Sequence, residues 1–249
     1  MGNSDNGIFF GGPGFGYSLQ VGNGLGNGRN IISGNDEIGI AATSGSVTIN
    51  GNYIGTSLSG TADIGNTLDG IQLDSEVTNA TIGGTVLGIN VGNVISGNDR
   101  NGIRINDASI PATIQRNLIA TNAAGTSALG NADDGIFLYE NDTITNSSII
   151  IGSDTDLNDG NTISGNGGDG INVDSNVSGV KIYANKIGIN ALGGGTIPNS
   201  LAGIRLLSAN SECEFQRNGC TFASGSRHRR QRNARTKCFG NGRTRRAGR

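Results

Sequence analysis

Short apolar runs alternate with polar residues along most of the chain and return at a nearly constant interval. A Gly-Ile pair, followed by one variable residue and then an apolar one, begins at Gly7, Gly39, Gly70, Gly102, Gly135, Gly170 and Gly203. Successive copies lie 32, 31, 32, 33, 35 and 33 residues apart. Alternation over a few residues indicates a half-buried β-strand, and a fixed period of this length is typical of repeat proteins. The sequence therefore predicts a repeat protein built from strands.

Each repeat contains two further apolar elements. An Asn-x-Ile element, followed by a small residue, begins at Asn30, Asn52, Asn93, Asn117, Asn161 and Asn185. A third element, such as Val47–Ile49 or Ala80–Ile82, fills the middle of the unit. Gly, Asn, Asp and Ser separate the three elements, and these residue types favour turns. Each unit is therefore predicted to hold three short strands joined by turns.

Three strands per unit, repeated with one period, predict an all-β fold: a parallel β-solenoid of about six to seven coils of roughly 32 residues. Stacked parallel strands, about 4.8 Å apart, bury apolar side chains that a single coil leaves exposed. We expect a column of isoleucines in the interior, formed by Ile40, Ile71, Ile103, Ile136, Ile171 and Ile204. We also expect the six asparagines of the Asn-x-Ile element to stack as a ladder of side-chain amides.

The repeat unit is longer than three strands and three turns require, and the surplus alternates between two places. In one type of coil it follows the Asn-x-Ile element, at 56–66 and 121–131. In the other type it precedes the Asn, at 85–92 and 153–160. Loops of one type are therefore expected to line up on one face, two coils apart. Loops on a rigid scaffold commonly carry function, so we expect any binding surface there.

Charge divides the chain into two regions. Among 249 residues with a formal net charge of −2, residues 1–210 carry 7 basic and 18 acidic side chains. Residues 211–249 carry 11 basic and 2 acidic side chains. We therefore predict a repeat array over 1–210 and a basic, Cys-containing, disordered tail over 211–249. No run of about 18 apolar residues occurs, so no membrane span is predicted.

The tail differs from the array in its residue composition. It lacks Ile, Leu and Val and contains Cys213, Cys220, His228 and Cys238, which are all the Cys and His residues of the chain. Its positive charge is typical of nucleic-acid-binding segments, whereas the Cys and His spacings fit no standard zinc site. A frame shift near Asn210 would permit codons for the residue types of the repeat. We therefore interpret the tail as out of frame and predict no nucleic-acid partner.

The Asn-Val-Ile-Ser-Gly-Asn motif at 93–98 and the Gly-Ile-x-Ile motif at 102–105 resemble the repeat of bacterial right-handed parallel β-helix proteins. These belong to the pectate-lyase-like superfamily in its broad sense, and the resemblance covers residues 2–208. It implies right-handed coiling, export, and either a carbohydrate-active or an adhesive and structural role. The chain begins within a coil, without a signal peptide or a polar cap. We therefore expect a fragment of a larger secreted or surface protein, with uncapped coil ends that favour end-to-end association.

Side chains suited to catalysis are sparse in the array. Residues 1–210 contain no His, and Arg104 and Arg205, in outward slots of the Gly-Ile strands, lie three units apart. A polysaccharide lyase, epimerase or glycoside hydrolase needs its charged groups on both sides of one bond. We therefore predict no catalytic residue and favour a non-catalytic extracellular scaffold that contacts polysaccharide or cell-surface glycan through its stacked loops. The alternatives are a carbohydrate-active enzyme and an array segment without its own activity.

Carboxylates and a few rings are the remaining candidates for binding. Asp69, Asp134 and Asp169 directly precede Gly-Ile pairs, and Asp74 and Asp174 follow the strands. Together they are expected to form an outward acidic row. Asp134 and Asp169 belong to adjacent units and would lie close enough to share Ca²⁺, the one cofactor suggested, with backbone oxygens. Asp in this place also simply suits a turn before a strand. The rings that are candidate platforms for sugars are Tyr53, Phe137, Tyr139 and Tyr183.

Overall fold

Each turn of the chain contributes one short strand to each of three parallel sheets in the computed structural model, an all-β solenoid of about six turns. The structure describes residues 2–12, 16–23, 28–140, 145–207, 214–216 and 219–220. Among these residues the single helical element is a 3₁₀ turn, Leu157–Asp159. The described residues include no helix that is long and apolar enough to cross a membrane.

The Gly-Ile elements form the first sheet. Its strands are Ile8–Phe10, the first part of Ile40–Ile49, the first part of Ile71–Gly83, Ile103–Ile105, Ile136–Leu138, Ile171–Val173 and Ile204–Leu206. Their parallel register places Ile71 between Ile40 and Ile103, and the same pairing continues to Ile204. All isoleucines of this column from Ile40 to Ile171 are fully buried, and Ile204 is partly buried against the same core.

The other two elements of each unit form the second and third sheets. Strands of the second sheet are Ser18–Val21, the last parts of Ile40–Ile49 and Ile71–Gly83, Ala112–Gln115, Ile149–Gly152, Lys181–Tyr183 and Glu214–Gln216. Strands of the third sheet are Ile31–Ile32, Tyr53–Ile54, Val94–Ile95, Leu118–Ile119, Thr162–Ile163, Lys186–Ile187 and Gly219–Cys220. The two long strands turn the corner between the first and second sheets through shifts in register. The three-strand unit predicted from the sequence is therefore confirmed.

A narrow interior explains the preference for isoleucine. The first and third residues of a Gly-Ile strand, such as Ile71 and Leu73, point inward, while Gln72 between them points outward. Inward residues of all three sheets form one apolar cluster. Burying a side chain of this size contributes about 1.5–3 kcal/mol relative to leaving it exposed. The periodic column is thus the main source of stability.

Loops between the third and first sheets stack on one another, two coils apart, as the sequence predicts. This first loop row consists of residues 56–65, 121–130 and 189–198. The backbone N–H of Ala123 donates to the carbonyl of Gly60 at 2.9 Å, and that of Ala191 donates to the carbonyl of Gly125 at 2.8 Å. In the coils between them a serine replaces the loop, and Ser96 Oγ, for example, donates to the carbonyl of Thr121 at 2.8 Å.

A second loop row lies between the second and third sheets. It contains a hairpin, in which Thr85–Val86 pairs with Ile89–Asn90, and the segment 153–160 two coils further along. Thr85 Oγ1 donates to Oδ1 of Asp159 at 3.3 Å, and Arg116 of the intervening coil forms an ion pair with the same carboxylate. The two loops of this row are therefore joined to the coil between them.

Two short strands lie beyond residue 210. Glu214–Gln216 pairs with Lys181–Tyr183, and Gly219–Cys220 pairs with Lys186–Ile187, so both continue the stacking of their sheets. Most of the predicted tail, 211–249, lies outside the described residues. Its predicted disorder and its interpretation as out of frame therefore stay predictions.

Candidate functional site

A row of six asparagines holds the corner between the second and third sheets. In the order Asn30, Asn52, Asn93, Asn117, Asn161 and Asn185, each Nδ2 donates to Oδ1 of the next residue, at 2.8, 3.1, 2.9, 3.0 and 2.8 Å. From Asn52 onward, each Nδ2 also donates to a backbone carbonyl of the preceding coil, such as that of Val21. The row therefore serves the scaffold, and from Asn52 onward its buried amides are engaged in binding successive coils together.

A second row of asparagines, which the sequence analysis did not single out, holds the corner between the third and first sheets. Its members are Asn3, Asn35, Asn66, Asn98, Asn131, Asn166 and Asn199, joined by Nδ2 to Oδ1 hydrogen bonds of 2.7–3.1 Å. Each lies four residues before the glycine of a Gly-Ile pair. That constant spacing could have identified this row from the sequence.

A third row of polar side chains lies where each coil enters the first sheet. Oδ1 of Asp69 accepts hydrogen bonds from the backbone and side-chain nitrogens of Asn101, at 2.9 and 2.8 Å. Oδ1 of Asp134 accepts one from the backbone N–H of Asp169 at 2.6 Å. Asp69 and Asp169 are buried, so the expected outward position is wrong for these two, whereas Asp74, Asp134 and Asp174 are half-exposed. A carboxylate that accepts hydrogen bonds from the next coil points along the stack of coils and away from solvent.

Asp134 and Asp169 do lie in adjacent coils, and protein donors engage their oxygens. Oδ2 of Asp134 accepts a hydrogen bond from Nδ2 of Asn172 at 2.8 Å. Asp169 accepts hydrogen bonds from the backbone N–H of Ala202 and from the guanidinium of Arg205. Within the described ranges, no three His, Cys, Asp or Glu side chains are grouped so as to hold a metal ion. A Ca²⁺ site at this pair stays a prediction.

Electrostatics distinguish Asp134 from the rest of this row. Burial raises the pKa of its carboxyl above the ordinary value, and the charges of Asp169 and Asp133 act in the same direction. Hydrogen bonds from Asn172 and from the backbone of Asp169 oppose this shift. The hydrogen bond to Asp169 raises the pKa of Arg205. The fold therefore disfavours the charged form of Asp134 and keeps the cation of Arg205.

The outer face of the first sheet carries a continuous polar–aromatic strip across three coils. It consists of Gln72, Asp74, Arg104, Asn106, Phe137 and Tyr139. The register places Arg104 between Gln72 and Phe137. All six side chains are half-exposed, and the buried residues that alternate with them fix the backbone beneath. The strip is therefore a rigid surface open to a ligand.

Hydrogen bonds order the polar half of the strip. Gln72 Nε2 donates to Oδ1 of Asp74 at 3.2 Å, and Asn106 Nδ2 donates to the same oxygen. Arg104 Nε donates to Oδ1 of Asn106. Arg104 forms no ion pair within the described part of the chain. Its guanidinium is therefore connected to the Asp74 carboxylate through Asn106 and not by a direct ion pair.

Two rings form the other half of the strip. The centroids of Phe137 and Tyr139 are 5.9 Å apart, with their planes inclined by 39°. The guanidinium carbon of Arg104 lies 5.8 Å from the centroid of Phe137. Aromatic rings offer apolar faces, and the tyrosine adds a hydroxyl, so this half suits a ligand with both apolar and polar surface.

The other two candidate rings lie away from this strip. Tyr183 is buried, and its hydroxyl donates a hydrogen bond to Glu214, so the expectation that it forms an open platform is wrong. Tyr53 is half-buried beneath the first loop row, where Gly60 approaches its ring, and the guanidinium carbon of Arg29 lies 4.0 Å from its centroid. Only Phe137 and Tyr139 of the four lie on the strip.

Among the strip residues the sequence analysis missed Asn106, which is neither a ring nor a charged group, whereas Asp74 was expected in the outward acidic row. Gln72 occupies an outward slot, while Asp74 and Asn106 lie one residue beyond the third position of their strands. Position i+2 from an outward slot faces the same side of a strand, and this rule would have placed them beside Gln72 and Arg104.

Comparison with known proteins gives no relative: no family model, no curated protein and no solved structure matches this chain. Because a solenoid fold alone does not define an activity, function must be argued from the surface geometry.

Proposed function

We propose that the chain is a non-catalytic scaffold of a bacterial right-handed β-helix protein, exported to the cell surface or beyond, that contacts glycans. The polar–aromatic strip is the observation that carries this proposal. Its hydrogen-bonded Asp74, Asn106 and Arg104 lie beside the Phe137 and Tyr139 rings on one face. The sequence led us to expect the binding surface on the stacked loops. The strip combines fixed polar groups with aromatic rings and is therefore the better candidate for binding a sugar.

The chemistry of a sugar matches both halves of the strip. A pyranose presents hydroxyl groups at its edge and C–H groups on its faces. Asp74 accepts and the Arg104 guanidinium donates hydrogen bonds, and each is held by Asn106. Phe137 and Tyr139 supply rings on which a C–H face packs. Few polar groups of fixed orientation beside aromatic side chains are typical of small-ligand sites.

Rigidity adds to the fit. Strip residues belong to strands whose neighbours in sequence, such as Ile103 and Ile105, are fully buried. The two asparagine rows fix the corners on either side of the third sheet. A surface that is ordered before binding loses less conformational entropy when a ligand arrives. Affinity for one sugar is expected to be modest, so adhesion would rely on several copies.

The carboxylates of the first sheet support a non-catalytic role. Asp74, which belongs to the strip, is bonded to Gln72 and Asn106. Cleavage of a glycosidic bond commonly needs an acid and a base or nucleophile that flank it. Asp134 and Asp169 are engaged with the backbone of the following coils. Moving either one onto a substrate would break a bond of the scaffold. The enzymatic alternative therefore has less support than the binding function.

Binding of labelled protein to a glycan array tests the proposal. Phe137→Ala and Arg104→Gln are expected to weaken binding about tenfold, which corresponds to ~1.4 kcal/mol. Phe9→Ala is a matched control, because Phe9 is an exposed ring in the same outward slot, four coils away. An equal loss of glycan binding in all three variants, or the absence of glycan binding by the unsubstituted chain, would contradict the proposal. Release of reducing ends from uronate polymers by the unsubstituted chain alone would favour the alternative of a carbohydrate-active enzyme.

A further inference from the structure

Asn79 differs from the asparagines that build the scaffold. It lies in the second-sheet part of strand Ile71–Gly83, and its side chain is exposed. Ladder asparagines such as Asn117 are buried and use both ends of their amides. The Asn79 amide makes no hydrogen bond to any described residue, so the fold does not need it.

Asn79 and Thr81 lie side by side on the outer face of the second sheet. Side chains two residues apart on a strand point to the same face, and Ala80 between them is buried. Thr81 is half-exposed and is flanked in register by Thr48 and Thr113. Its hydroxyl makes no hydrogen bond to the described part of the chain either. An amide and a hydroxyl are therefore presented together on a flat, firmly held surface.

Asn79-Ala80-Thr81 is an Asn-x-Thr tripeptide without proline, the acceptor sequence for N-linked glycosylation. The chain contains three other Asn-x-Ser/Thr tripeptides, which begin at Asn141, Asn146 and Asn176. Asn141 and the side chain of Asn146 lie outside what the structure describes, so Asn176 provides the comparison.

The fold presents the tripeptide at Asn176 differently. Asn176 is half-buried, and Val177 and Ser178 are both buried. The backbones of both tripeptides pair with neighbouring coils, so the difference between the two sites lies in their side chains. At Asn176 an enzyme would have to expose the buried serine two residues later, whereas the Asn79 side chain is exposed and that of Thr81 is half-exposed.

We propose that Asn79 is an N-glycosylation site that remains accessible in the folded solenoid. The donor would be an oligosaccharide linked to a lipid through a diphosphate, acted on by an oligosaccharyltransferase that reads Asn-x-Ser/Thr alone. The amide nitrogen of Asn79 forms a bond to the anomeric carbon of the donor. The bond from that carbon to the diphosphate oxygen breaks, the lipid diphosphate leaves, and the amide proton passes to solvent. The Thr81 hydroxyl serves recognition and is not consumed.

This site is separate from the polar–aromatic strip, because Asn79 belongs to the second sheet and the strip to the first. A glycan here would cover the face formed by Thr48, Thr81 and Thr113. The inference does not rest on the proposed glycan-binding function. Each can fail without the other.

The test uses the folded full chain, a purified oligosaccharyltransferase of that type and its lipid-linked oligosaccharide. Glycopeptide mass spectrometry is expected to show the mass of one oligosaccharide on the Asn79 peptide and none on the Asn176 peptide. The same reaction on urea-unfolded, diluted chain is expected to modify both. No modification of Asn79 in the folded chain, or equal modification of Asn176, would overturn the proposal.

Substitutions at Thr81 provide the matched controls. Thr81→Val removes the hydroxyl and is expected to abolish modification of Asn79, whereas Thr81→Ser is expected to retain it. Val is compatible with the fold, because Ile150 occupies the same register position two coils further along. Circular dichroism before the reaction checks that both variants are folded. Modification of Asn79 in the valine variant would refute recognition through this tripeptide.

Discussion

Nδ2 of Asn117 donates to Oδ1 of Asn161, 3.0 Å away and one coil further along the solenoid. The same nitrogen donates to the backbone carbonyl of Ile82 in the preceding coil at 2.9 Å. Oδ1 of Asn117 accepts hydrogen bonds from the backbone and side chain of Asn93. One buried amide thus joins three consecutive coils.

Asn117→Ala is expected to destabilise the fold strongly. It leaves the backbone N–H of Asn93 buried without its partner, which costs about 1–3 kcal/mol, and it removes the hydrogen bonds to the carbonyl of Ile82 and to Asn161. We expect a loss of ~3 kcal/mol or more in the free energy of unfolding, measured by urea titration with circular dichroism. Asn30→Ala, at the exposed end of the same row, is the control, with an expected loss below ~1 kcal/mol. Equal losses would show that the interior of the row has no special role.

Asp69 presents a buried carboxylate with one oxygen unused. Oδ1 accepts two hydrogen bonds from Asn101, while Oδ2 is buried without a partner. Asp69→Asn keeps the acceptor and removes a buried charge, so the free energy of unfolding should stay level or rise by up to ~1 kcal/mol. Asp69→Ala removes the acceptor and should lower it by about 1–3 kcal/mol. Thermal and urea unfolding of both variants checks this order, and an asparagine variant less stable than the alanine variant would contradict it.

Contacts within the first loop row can be tested with two glycines. Gly125 has φ +67°, and a Cβ added there would lie 2.4 Å from Cβ of Ala191. Gly193, at the same place in the next loop, has φ +80° and open space around the added Cβ. Both alanine variants carry backbone strain, but only Gly125→Ala also forces two loops apart. We expect Gly125→Ala to cost about 1–3 kcal/mol more than Gly193→Ala, as measured by differences in thermal unfolding. Similar costs would mean that loop stacking adds little.

Asp134 should make stability depend on pH in a defined direction. Because folding raises the pKa of its carboxyl above 3.8, the folded chain holds this proton more tightly than the unfolded chain. The resulting stabilisation is present below the unfolded pKa and is lost as pH rises through the folded pKa. Asp134→Asn has no such proton. Wild-type stability relative to this variant should therefore fall as pH rises from below 3.8 through the raised pKa of the folded chain, measured by urea unfolding with a chelator present. A rising difference would contradict the raised pKa.

The period of the Gly-Ile pairs was sufficient to predict the sheets, their parallel stacking and the alignment of loops two coils apart. Those features follow from one rule, that equivalent residues of successive coils lie above one another. The direction of a polar side chain at a corner does not follow from the period. Asp69 and Asp169 were expected outside and are buried, because they accept hydrogen bonds from the next coil.

The candidate binding surface was predictable only in part. Arg104 and Phe137 could be placed in outward slots from alternation alone. Their contact with Asp74 and Asn106 depends on how each strand leaves the sheet, which no local pattern specifies. Tyr183 was misjudged for a related reason, since its partner Glu214 belongs to a strand that the sequence did not predict.

Coils that carry a loop of the first row alternate with coils that carry a serine in its place, here called looped coils and serine coils. The repeating structural unit of the array is therefore a pair of coils. Loss of one serine coil would bring two looped coils into direct contact, and Gly60 would no longer lie opposite Ala123. Loss of one looped coil would deprive a serine such as Ser96 of the loop carbonyl to which it donates. Engineered or natural length variants of this array should therefore differ by even numbers of coils.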